Sequence, residues 1–542
     1  MSKVRQRKND LLVNILMSHA GLLWIGAVLP ILACNRVASV SGGATDSDFR
    51  PMLTTDSGTT AAPDTALDSA TGDTALDTAT FWDTVTANDA LIFNVDTTPR
   101  EAAVFEPRTM SMPYQYVQTG EMRLFDTAHL RGGLQINATS AGNIVLSGFT
   151  ANPWPTPTDT ASEPVFVPFT LELNPLGQTV HLWTFPGVSS PLVTWVDEND
   201  RMVWIGSPAR VATIGDQSVT SEESIFYYAR IDLATGSADE LALIPATPNF
   251  APLKNPFTVR TVTGDAAGNI YVGGAAGLSN ERASMVKIDS AGNLLWEVSW
   301  ISCENTAYFR DMAAVGLGAI ATVGVFNCGL VVGEEELRTE YPTGKRYLED
   351  GFMAWLSTAD GTTLHTKQAG GLEWEGLTTL NRTADGALRA GGYFSDDVQI
   401  DHMRIPGRGD YAVMMIEIAS NGSVTWATAL RDGLHLNRAL VDALNRSHLV
   451  GWARPDELDT VDTDGGMGPF ILALDESGTP VAFKTLQTGS DGDAQVAVDG
   501  QGGVWMVGSF DYSVKGQYGE IITSGESGSF LARFELQVMP VD

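Results

Sequence analysis

The sequence predicts an all-β fold built from repeated antiparallel units, and three observations indicate it. One short phrase, a Gly, Asn or Asp followed by an apolar alternation and a closing Gly, occurs seven times between Gly142 and Gly508. Most copies are followed by a hairpin-like segment whose turn carries Asp, Asn or Gly, the residues that tight hairpin turns require. The 55 glycines and 13 tryptophans among the 542 residues also suit many short strands joined by tight turns.

The copies of the phrase are unevenly spaced. Neighbouring closing glycines lie 50 to 68 residues apart in the sequence. An irregular period of this size in a strand-rich chain indicates one supersecondary unit with loops of variable length, each unit stacked against the next. We therefore expect one large folded body over residues 91–542. The copies run over Gly142–Gly148, Asp200–Gly206, Gly268–Gly274, Gly318–Gly324, Gly386–Gly392, Asn445–Gly451 and Gly502–Gly508.

Each unit is predicted to hold four strands. In the third copy, Arg260–Thr263 precedes the phrase Gly268–Gly274, and the hairpin Met285–Trp296 follows it. Apolar alternation on both sides of each turn marks strands with two distinct faces. Four-stranded antiparallel units repeated radially form a β-propeller, which protects its sheet edges by closing into a ring. Seven copies predict seven blades.

Five further hairpins support this unit, and a tryptophan recurs at one place in them. Recurrence at one structural position favours packing between blades over a sugar-stacking platform for Trp183, Trp296 and Trp426. Trp195 and Trp374 lie outside that register and are the candidates for a binding face. The hairpins are Leu171–Trp183, Tyr228–Leu243, Met353–Thr366, Met414–Trp426 and Ile471–Phe483.

The last unit is incomplete, which predicts how the ring closes. Phe530–Phe534 begins a hairpin, but the chain ends at Asp542 without the second strand. Near the other end, Gly120–Phe125 has the missing form. We expect this N-terminal strand to pair with the C-terminal strand, so that one blade is built from both ends of the chain.

Charge excludes some partners. The formal net charge is −32, and such a surface repels nucleic acid and anionic lipid headgroups. We expect a soluble, monomeric folded body that binds no nucleic acid.

The first 33 residues have the pattern of an export signal. Basic residues Lys3 to Lys8 precede an apolar stretch, Leu11 to Ala33, and Ile31–Cys34 resembles the lipobox of bacterial lipoproteins. The resemblance implies that Cys34 is acylated and anchors the chain in outer-membrane lipid, because Asn35 rather than an acidic residue after the cysteine favours delivery to the outer membrane. A plain membrane anchor is the alternative. Residues 34–90, rich in Thr, Asp and Ala, are expected to form a disordered tether.

Two cysteines are left after Cys34. Cys303 lies just beyond one predicted outer strand, and Cys328 lies just beyond the next copy of the phrase. In an oxidising compartment such a pair favours a disulfide, and two separate buried thiols are the alternative.

The third unit carries a family resemblance. Gly268–Gly274 followed by Met285–Trp296 resembles the SBBP-type β-propeller repeat of secreted bacterial proteins, and the likeness extends from Gly120 to about Leu536. The resemblance implies a propeller at the cell surface and offers no catalytic residues to transfer. The same turn is similar to the repeat of pyrroloquinoline-quinone propeller enzymes, but their paired vicinal cysteines are absent here.

No motif predicts catalysis, a metal or a cofactor. The seven histidines show no HxH or HExxH spacing, and neither a GxSxG elbow nor a P-loop occurs. Gly316–Ala321 imitates a dinucleotide fingerprint, but a strand rather than a helix is predicted to follow. The acidic turn at Asp459, Asp462 and Asp464 lacks the Glu of a calcium loop. Asp396 and Asp397 could serve glycoside chemistry, although an acidic protein offers such pairs by chance.

These observations predict a lipid-anchored, surface-exposed propeller of the outer membrane that binds or scaffolds an unknown protein or glycan. The alternative is a periplasmic hydrolase, lyase or quinoprotein that uses the central channel. A third possibility is a scaffold resembling the propeller lipoproteins of outer-membrane biogenesis. Several ionisable side chains at the channel mouth would favour an enzyme, and an ordinary polar funnel would favour a binder.

Overall fold

The computed structural model describes residues that all belong to one compact unit, Trp82–Asp542. The predicted signal segment, Cys34 and the tether lie outside the described residues. No helix of the described residues is long and apolar enough to cross a membrane. The described ranges are 103–104, 113–119, 123–126, 130–152, 165–188, 191–206, 211–220, 224–245, 257–277, 282–303, 306–316, 318–339, 348–407, 412–453, 468–488, 494–516 and 519–539.

The described secondary structure is entirely β-strand, and its four-stranded antiparallel sheets are numbered here as blades. Three short strands come first: β1 (Ala103–Val104), β2 (Tyr114–Gln118) and β3 (Arg123–Asp126). Blade 1 holds β4 (Leu130–Ala138), β5 (Ile144–Asn152), β6 (Val165–Leu173) and β7 (Thr179–Thr184). Blade 2 holds β8 (Pro191–Val196), β9 (Arg201–Gly206), an inserted hairpin of β10 (Val211–Ile214) and β11 (Gln217–Thr220), then β12 (Ser224–Asp232) and β13 (Ala238–Pro245). Blade 3 holds β14 (Thr258–Gly264), β15 (Ile270–Ala276), β16 (Arg282–Ile288) and β17 (Leu294–Ile301).

The remaining blades repeat this order with further insertions. Blade 4 holds β18 (Ala307–Gly316), β19 (Ala319–Phe326), the inserted β20 (Gly329–Val332) and β21 (Glu335–Arg338), then β22 (Asp350–Ser357) and β23 (Thr363–Gly370). Blade 5 holds β24 (Glu375–Arg382), β25 (Leu388–Phe394), the inserted β26 (Val398–Ile400) and β27 (Met403–Ile405), then β28 (Ala412–Ile418) and β29 (Val424–Asp432). Blade 6 holds β30 (Leu434–Val441), β31 (Ser447–Ala453), β32 (Gly468–Leu474) and β33 (Pro480–Thr485). Blade 7 holds β35 (Ala494–Val498), β36 (Val504–Gly516) and β37 (Gly519–Val538), preceded by β34 (Gln487–Thr488).

The blades form a closed ring. The first strand of each blade contacts the first strand of the next, and β35 of blade 7 contacts β4 of blade 1. The described residues therefore form a seven-bladed β-propeller, which confirms the predicted fold class.

Both ends of the chain build blade 7, as the sequence predicts. Strand β37 pairs with β36 on one side and with β2 and β3 on the other. Gln118 lies opposite Phe534, and Arg123 lies opposite Leu531. The closing edge begins earlier than expected, because Tyr114–Gln118 joins it as well.

Backbone conformation explains the first residue of the phrase. All seven first positions have φ between 55° and 90°, including the non-glycine residues Asp200 and Asn445. Glycine, and less readily Asn and Asp, tolerates this left-handed conformation. An aspartate three residues earlier caps several of these turns: in blade 3 the Asp265 Oδ1 atom accepts the backbone N–H groups of Ala267 and Asn269, both at 3.0 Å.

A bulge in the neighbouring strand explains the closing glycine of the phrase. In blades 3 to 6 the first strand skips one residue of register opposite this glycine. A Cβ atom at the glycine would overlap a backbone carbonyl oxygen of the bulged strand. The overlapping pairs are Gly274 with Thr258, Gly324 with Tyr308, Gly392 with Gly376 and Gly451 with His435.

The apolar core lies between blades, and the recurrent tryptophans belong to it. Trp183, Trp296 and Trp426 sit on the outer strands of blades 1, 3 and 5. Each packs on the turn glycine of the next blade, namely Gly236, Gly361 and Gly478 respectively, where a Cβ atom would crowd the indole ring. The predicted packing role is confirmed.

The two ends of the ring differ. Turns between first and second strands and between third and fourth strands share one end, the turn face, because the chain reverses at every strand. Connections between second and third strands lie at the other end, the insertion face. The hairpins β10–β11, β20–β21 and β26–β27 and the long extension of β36 and β37 all belong to the insertion face.

Candidate functional site

A group of ionisable and phenolic side chains lies at the insertion-face end of the first strands, and we call it the mouth cluster. It consists of Arg260 of blade 3, Tyr308, Arg310 and Glu349 of blade 4, and Tyr393 of blade 5. Arg260 and Arg310 occupy the bulged positions of β14 and β18, so the closing glycines of the phrase shape this site.

The two guanidinium groups share one aromatic ring. The Cζ atoms of Arg260 and Arg310 lie 4.2 Å and 4.5 Å from the centre of the Tyr308 ring, within the range of a cation–π interaction. The Arg310 Nη2 atom also donates a hydrogen bond of 2.9 Å to the Tyr308 hydroxyl. Tyr308 therefore fixes both arginines.

A glycine positions the acidic member of the cluster. Gly376 on β24 has no side chain, and a Cβ atom there would lie 2.5 Å from Cζ of Tyr393. The Tyr393 ring crosses this gap, and its hydroxyl donates a hydrogen bond of 2.8 Å to Oε2 of Glu349. Glu349 is thereby engaged with a phenol rather than paired with an arginine.

Burial sets the charge state of the cluster. Burial raises the pKa of the Tyr308 hydroxyl and of the Tyr393 hydroxyl, so both phenols are neutral donors at neutral pH. Burial, followed by repulsion from Arg310, lowers the pKa of Arg260. With two guanidinium groups and one carboxylate, the cluster carries a positive charge in a protein of net charge −32.

A buried acid lies beside the mouth cluster. Glu375, the first residue of β24, is 0% exposed, and neither of its carboxyl oxygens has a hydrogen-bond partner among the described residues. Burial, and then the carboxylate of Asp350, raises the pKa of Glu375 to about 8. Glu375 is thus protonated at neutral pH, when an ordinary glutamic acid is ionised.

Glu375→Gln is expected to stabilise the protein as the pH rises. The native state holds the Glu375 proton between the unfolded pKa of 4.5 and the folded pKa of about 8, so wild-type stability falls across this window. We expect the variant to gain about 2 kcal/mol over wild type between pH 5 and pH 7.5 in urea unfolding. Glu334→Gln, at an exposed position, is the control and should show no such gain. Equal pH profiles for wild type and Glu375→Gln would contradict the raised pKa.

A cleft of about 1060 Å³ lies between blades 3 and 4. The end of β17, the hairpin β20–β21 and the start of β23 line it. Ile301, Val331 and Leu364 expose 45 to 52% of their surface in this cleft.

The Cys303–Cys328 disulfide fixes one wall of the cleft. It joins the segment after β17 to the start of the inserted hairpin, with Cα atoms 5.9 Å apart. This confirms the disulfide over the two separate thiols that the sequence left open.

Removing the disulfide is expected to cost about 3 kcal/mol of unfolding free energy, because the bond closes a loop across a sequence separation of 25 residues. The Cys303→Ser/Cys328→Ser double variant, compared with wild type by urea unfolding, measures this cost. Thiol labelling of the wild-type protein with and without reductant is the accompanying check, and two thiols that label freely without reductant would rule the bond out.

The residues singled out from the sequence have mainly structural roles. Trp195 packs on Gly264, and the backbone carbonyl of Trp374 accepts a hydrogen bond of 3.4 Å from the Ser395 hydroxyl. Asp397 pairs with Arg404, which supports the β26–β27 hairpin. Strand β19 begins inside the Gly316–Ala321 segment, at Ala319, and continues to Phe326, so a strand rather than a helix is present, as predicted. The turn at Asp459, Asp462 and Asp464 lies outside the described residues, and within the described ranges no group of three His, Cys, Asp or Glu is placed to hold a metal ion.

Sequence reasoning missed the mouth cluster and a buried histidine. Arg260 and Arg310 sit in apolar alternations without any motif. The signal that could have found them is positional, because each lies near the start of the first strand of its blade, which pairs with the strand that carries the closing glycine. His448 lies on strand β31, and nothing in the sequence marks its burial. It is 0% exposed and bonded to Tyr116 and Asp442.

Comparison with known proteins adds a fold likeness alone. No protein-family model matches the chain, and no curated protein matches it. A streptogramin B lyase structure is 10% identical with a TM-score of 0.42, covering 77% of this chain and 98% of that one. A protein of unknown function from Dyadobacter fermentans is 11% identical with a TM-score of 0.36, covering 78% and 98%. A europium-containing methanol dehydrogenase is 10% identical with a TM-score of 0.34, covering 76% and 92%. The class of this protein is thus defined by its own fold, the seven-bladed β-propeller.

Proposed function

We propose that this protein is an exported, lipid-anchored propeller of the SBBP repeat type that binds a protein or glycan at the outer membrane through its insertion face. The proposal combines the lipobox-like Cys34 and the predicted tether with the form of the ring. The lipid would hold the chain at the membrane, and a tether formed by residues 34–90 would separate the ring from the membrane surface.

One observation carries the assignment of the face. The described inserted hairpins and the mouth cluster share one end of the ring, whereas the other end consists of tight turns. Side chains lock those turns to neighbouring blades: Arg389 donates to the Glu476 carbonyl at 2.9 Å, and Lys287 donates to the Thr358 carbonyl at 2.7 Å. Variable loops on a rigid scaffold are typical of recognition surfaces.

A hydrolase or lyase is the second candidate function. Ionisable side chains converge at the mouth, which is a feature of enzyme active sites. However, the two nearby acids are engaged or inaccessible, since Glu349 accepts the Tyr393 hydroxyl and Glu375 is 0% exposed. We favour binding because neither Glu349 nor Glu375 is free to exchange a proton with a substrate.

Two experiments test the proposal. Protease treatment of intact and lysed cells should degrade the protein in both, while Cys34→Ser should release it from the membrane fraction. Protection in intact cells would rule out surface display, and unchanged membrane attachment of Cys34→Ser would rule out the lipid anchor.

Binding to purified envelope fractions tests the face. Replacing the β10–β11 hairpin by a short turn should weaken binding, whereas Leu176→Ser, at an exposed position of the turn face, should leave binding unchanged. The reverse result would assign recognition to the turn face.

A further inference from the structure

We propose that Arg260 and Arg310 form a binding site for an oxyanion, a carboxylate or phosphate group carried by the ligand. This inference rests on the proposed binding function and specifies the chemistry of the ligand. It depends on four properties of the mouth cluster. These are the absence of a close ion pair among the described residues, the contrast with ion-paired arginines elsewhere in the ring, the fixed geometry and the access to solvent.

Neither guanidinium group has an ion-pair partner among the described residues, although the Glu349 carboxylate acts on both at longer range. Their Nε atoms are buried without a hydrogen-bond partner, and no described carboxylate lies within 4.0 Å of either group. The chain has 65 acidic residues, so this absence does not come from a shortage of carboxylates. Buried cations without a partner are costly, and two neighbouring ones also repel each other.

Three other arginines of the ring, each buried or half-buried, are ion-paired. Arg389 contacts Glu417 at 2.9 Å, Arg533 contacts Asp499 at 2.8 Å, and Arg230 contacts Glu240 at 3.4 Å. The fold supplies a carboxylate to each of these three arginines, whereas Arg260 and Arg310 at the insertion-face mouth have none within 4.0 Å among the described residues.

The geometry is already arranged for an anion. The Tyr308 ring holds both guanidinium groups at 4.2 Å and 4.5 Å from its centre, so little side-chain freedom remains to be lost on binding. The planar guanidinium fork matches the paired oxygens of carboxylate and phosphate. The Tyr308 hydroxyl accepts from Arg310 and keeps its own proton to donate to the ligand.

Ligand access and charge agree with this site. Both arginine side chains are half-buried, so each retains contact with solvent although its Nε atom is buried. Two guanidinium groups and the Glu349 carboxylate leave one net positive charge, which a single oxyanion neutralises. The overall charge of −32 would repel polyanions, so the site should select a ligand with an isolated anionic group.

Isothermal titration of the full-length protein with inorganic phosphate, glucuronate and neutral glucose tests the proposal. We expect binding of phosphate or glucuronate but not of glucose, and the stronger of the two anions identifies the group. Arg260→Met and Arg310→Met should each weaken binding about tenfold or more. Arg438→Met, at an exposed position of an inner strand, is the matched control and should bind like wild type.

Wild-type measurements keep the test independent of variant folding. At constant ionic strength, replacing chloride by the bound anion should raise the melting temperature of wild type and of Arg438→Met. No anion binding by wild type, or equal binding by the Arg310→Met variant in folded form, would overturn the oxyanion site. If the Arg variants still bind envelope fractions while the β10–β11 variant does not, the oxyanion inference fails and the proposed function stands.

Discussion

Gly451→Ala is expected to lower the free energy of unfolding by about 4 kcal/mol. A Cβ atom at this position would overlap the carbonyl oxygen of His435 and lie 3.0 Å from the Phe470 ring. The overlapping atom belongs to the backbone of a bulged strand, so no side-chain rotation relieves it. Urea unfolding followed by tryptophan fluorescence measures the loss.

Gly502→Ala is the matched control for this effect. Gly502 opens a phrase with φ of 79°, and nothing lies within 4 Å of its Cβ position. Only backbone strain opposes the alanine there, at about 1 to 2 kcal/mol. Equal losses of unfolding free energy at both glycines would show that backbone conformation, rather than the bulge opposite the closing glycine, explains why a glycine recurs at that position.

His448→Leu is expected to lower the free energy of unfolding by a similar amount, about 4 kcal/mol, because it removes the buried hydrogen-bond partner of Tyr116 and Asp442. The Tyr116 hydroxyl donates to the His448 Nδ1 atom at 2.6 Å, and the His448 Nε2 atom donates to Asp442 at 3.0 Å. Tyr116 belongs to the N-terminal closing strand and His448 to blade 6. The hydrogen bonds among Tyr116, His448 and Asp442, which we call the clasp, therefore attach the closing strand to blade 6.

A partly exposed histidine offers the control. His181 also contacts a carboxylate, that of Glu172, at 2.9 Å, but its side chain is 39% exposed. We expect His181→Leu to cost under about 1 kcal/mol in the same urea unfolding measurement. A His448→Leu loss as small as this would contradict the clasp.

The clasp also predicts acid sensitivity. Burial lowers the pKa of His448. Burial alone would raise the pKa of Asp442, but hydrogen bonds from His448 and from the backbone of Arg446 outweigh it and lower that pKa. Both groups bind fewer protons in the native than in the unfolded state. Stability is therefore lost as the pH falls below the ordinary histidine pKa of about 6.5. The difference in unfolding free energy between wild type and His448→Leu, measured in urea, should be smaller at pH 5 than at pH 7.5.

The fold follows from the sequence because its signals are local and repeated. A Gly, Asn or Asp at the start of each phrase marks a left-handed turn, and all seven positions adopt it. Alternation on both sides of the hairpin turns marks strands, and the tryptophan register marks contacts between blades. The unfinished hairpin at Phe530–Phe534 predicts that another part of the chain completes the sheet.

The candidate site did not follow from the sequence because its signals are not local. The mouth cluster combines residues of three blades, and its arginines lie at bulged positions that hold Thr378 and Asn437 in blades 5 and 6. The reason for the closing glycine lies in a different strand, where the bulge forms. Tyr116 escaped notice for the same reason, since its partner His448 is 332 residues away in the sequence.

Ring closure is the claim on which the seven-bladed propeller depends, and a cross-link tests it most directly. Gln115 on β2 and Gln537 on β37 are exposed cross-strand partners. Cysteines placed at both positions in a Cys34→Ser background should form a disulfide within one chain on mild oxidation, because cross-strand partners lie about 5 Å apart. The cross-linked protein should migrate faster on a non-reducing gel and unfold at higher urea concentration. Two thiols that stay free in the folded protein would show that the ends do not meet, and would contradict the closed ring.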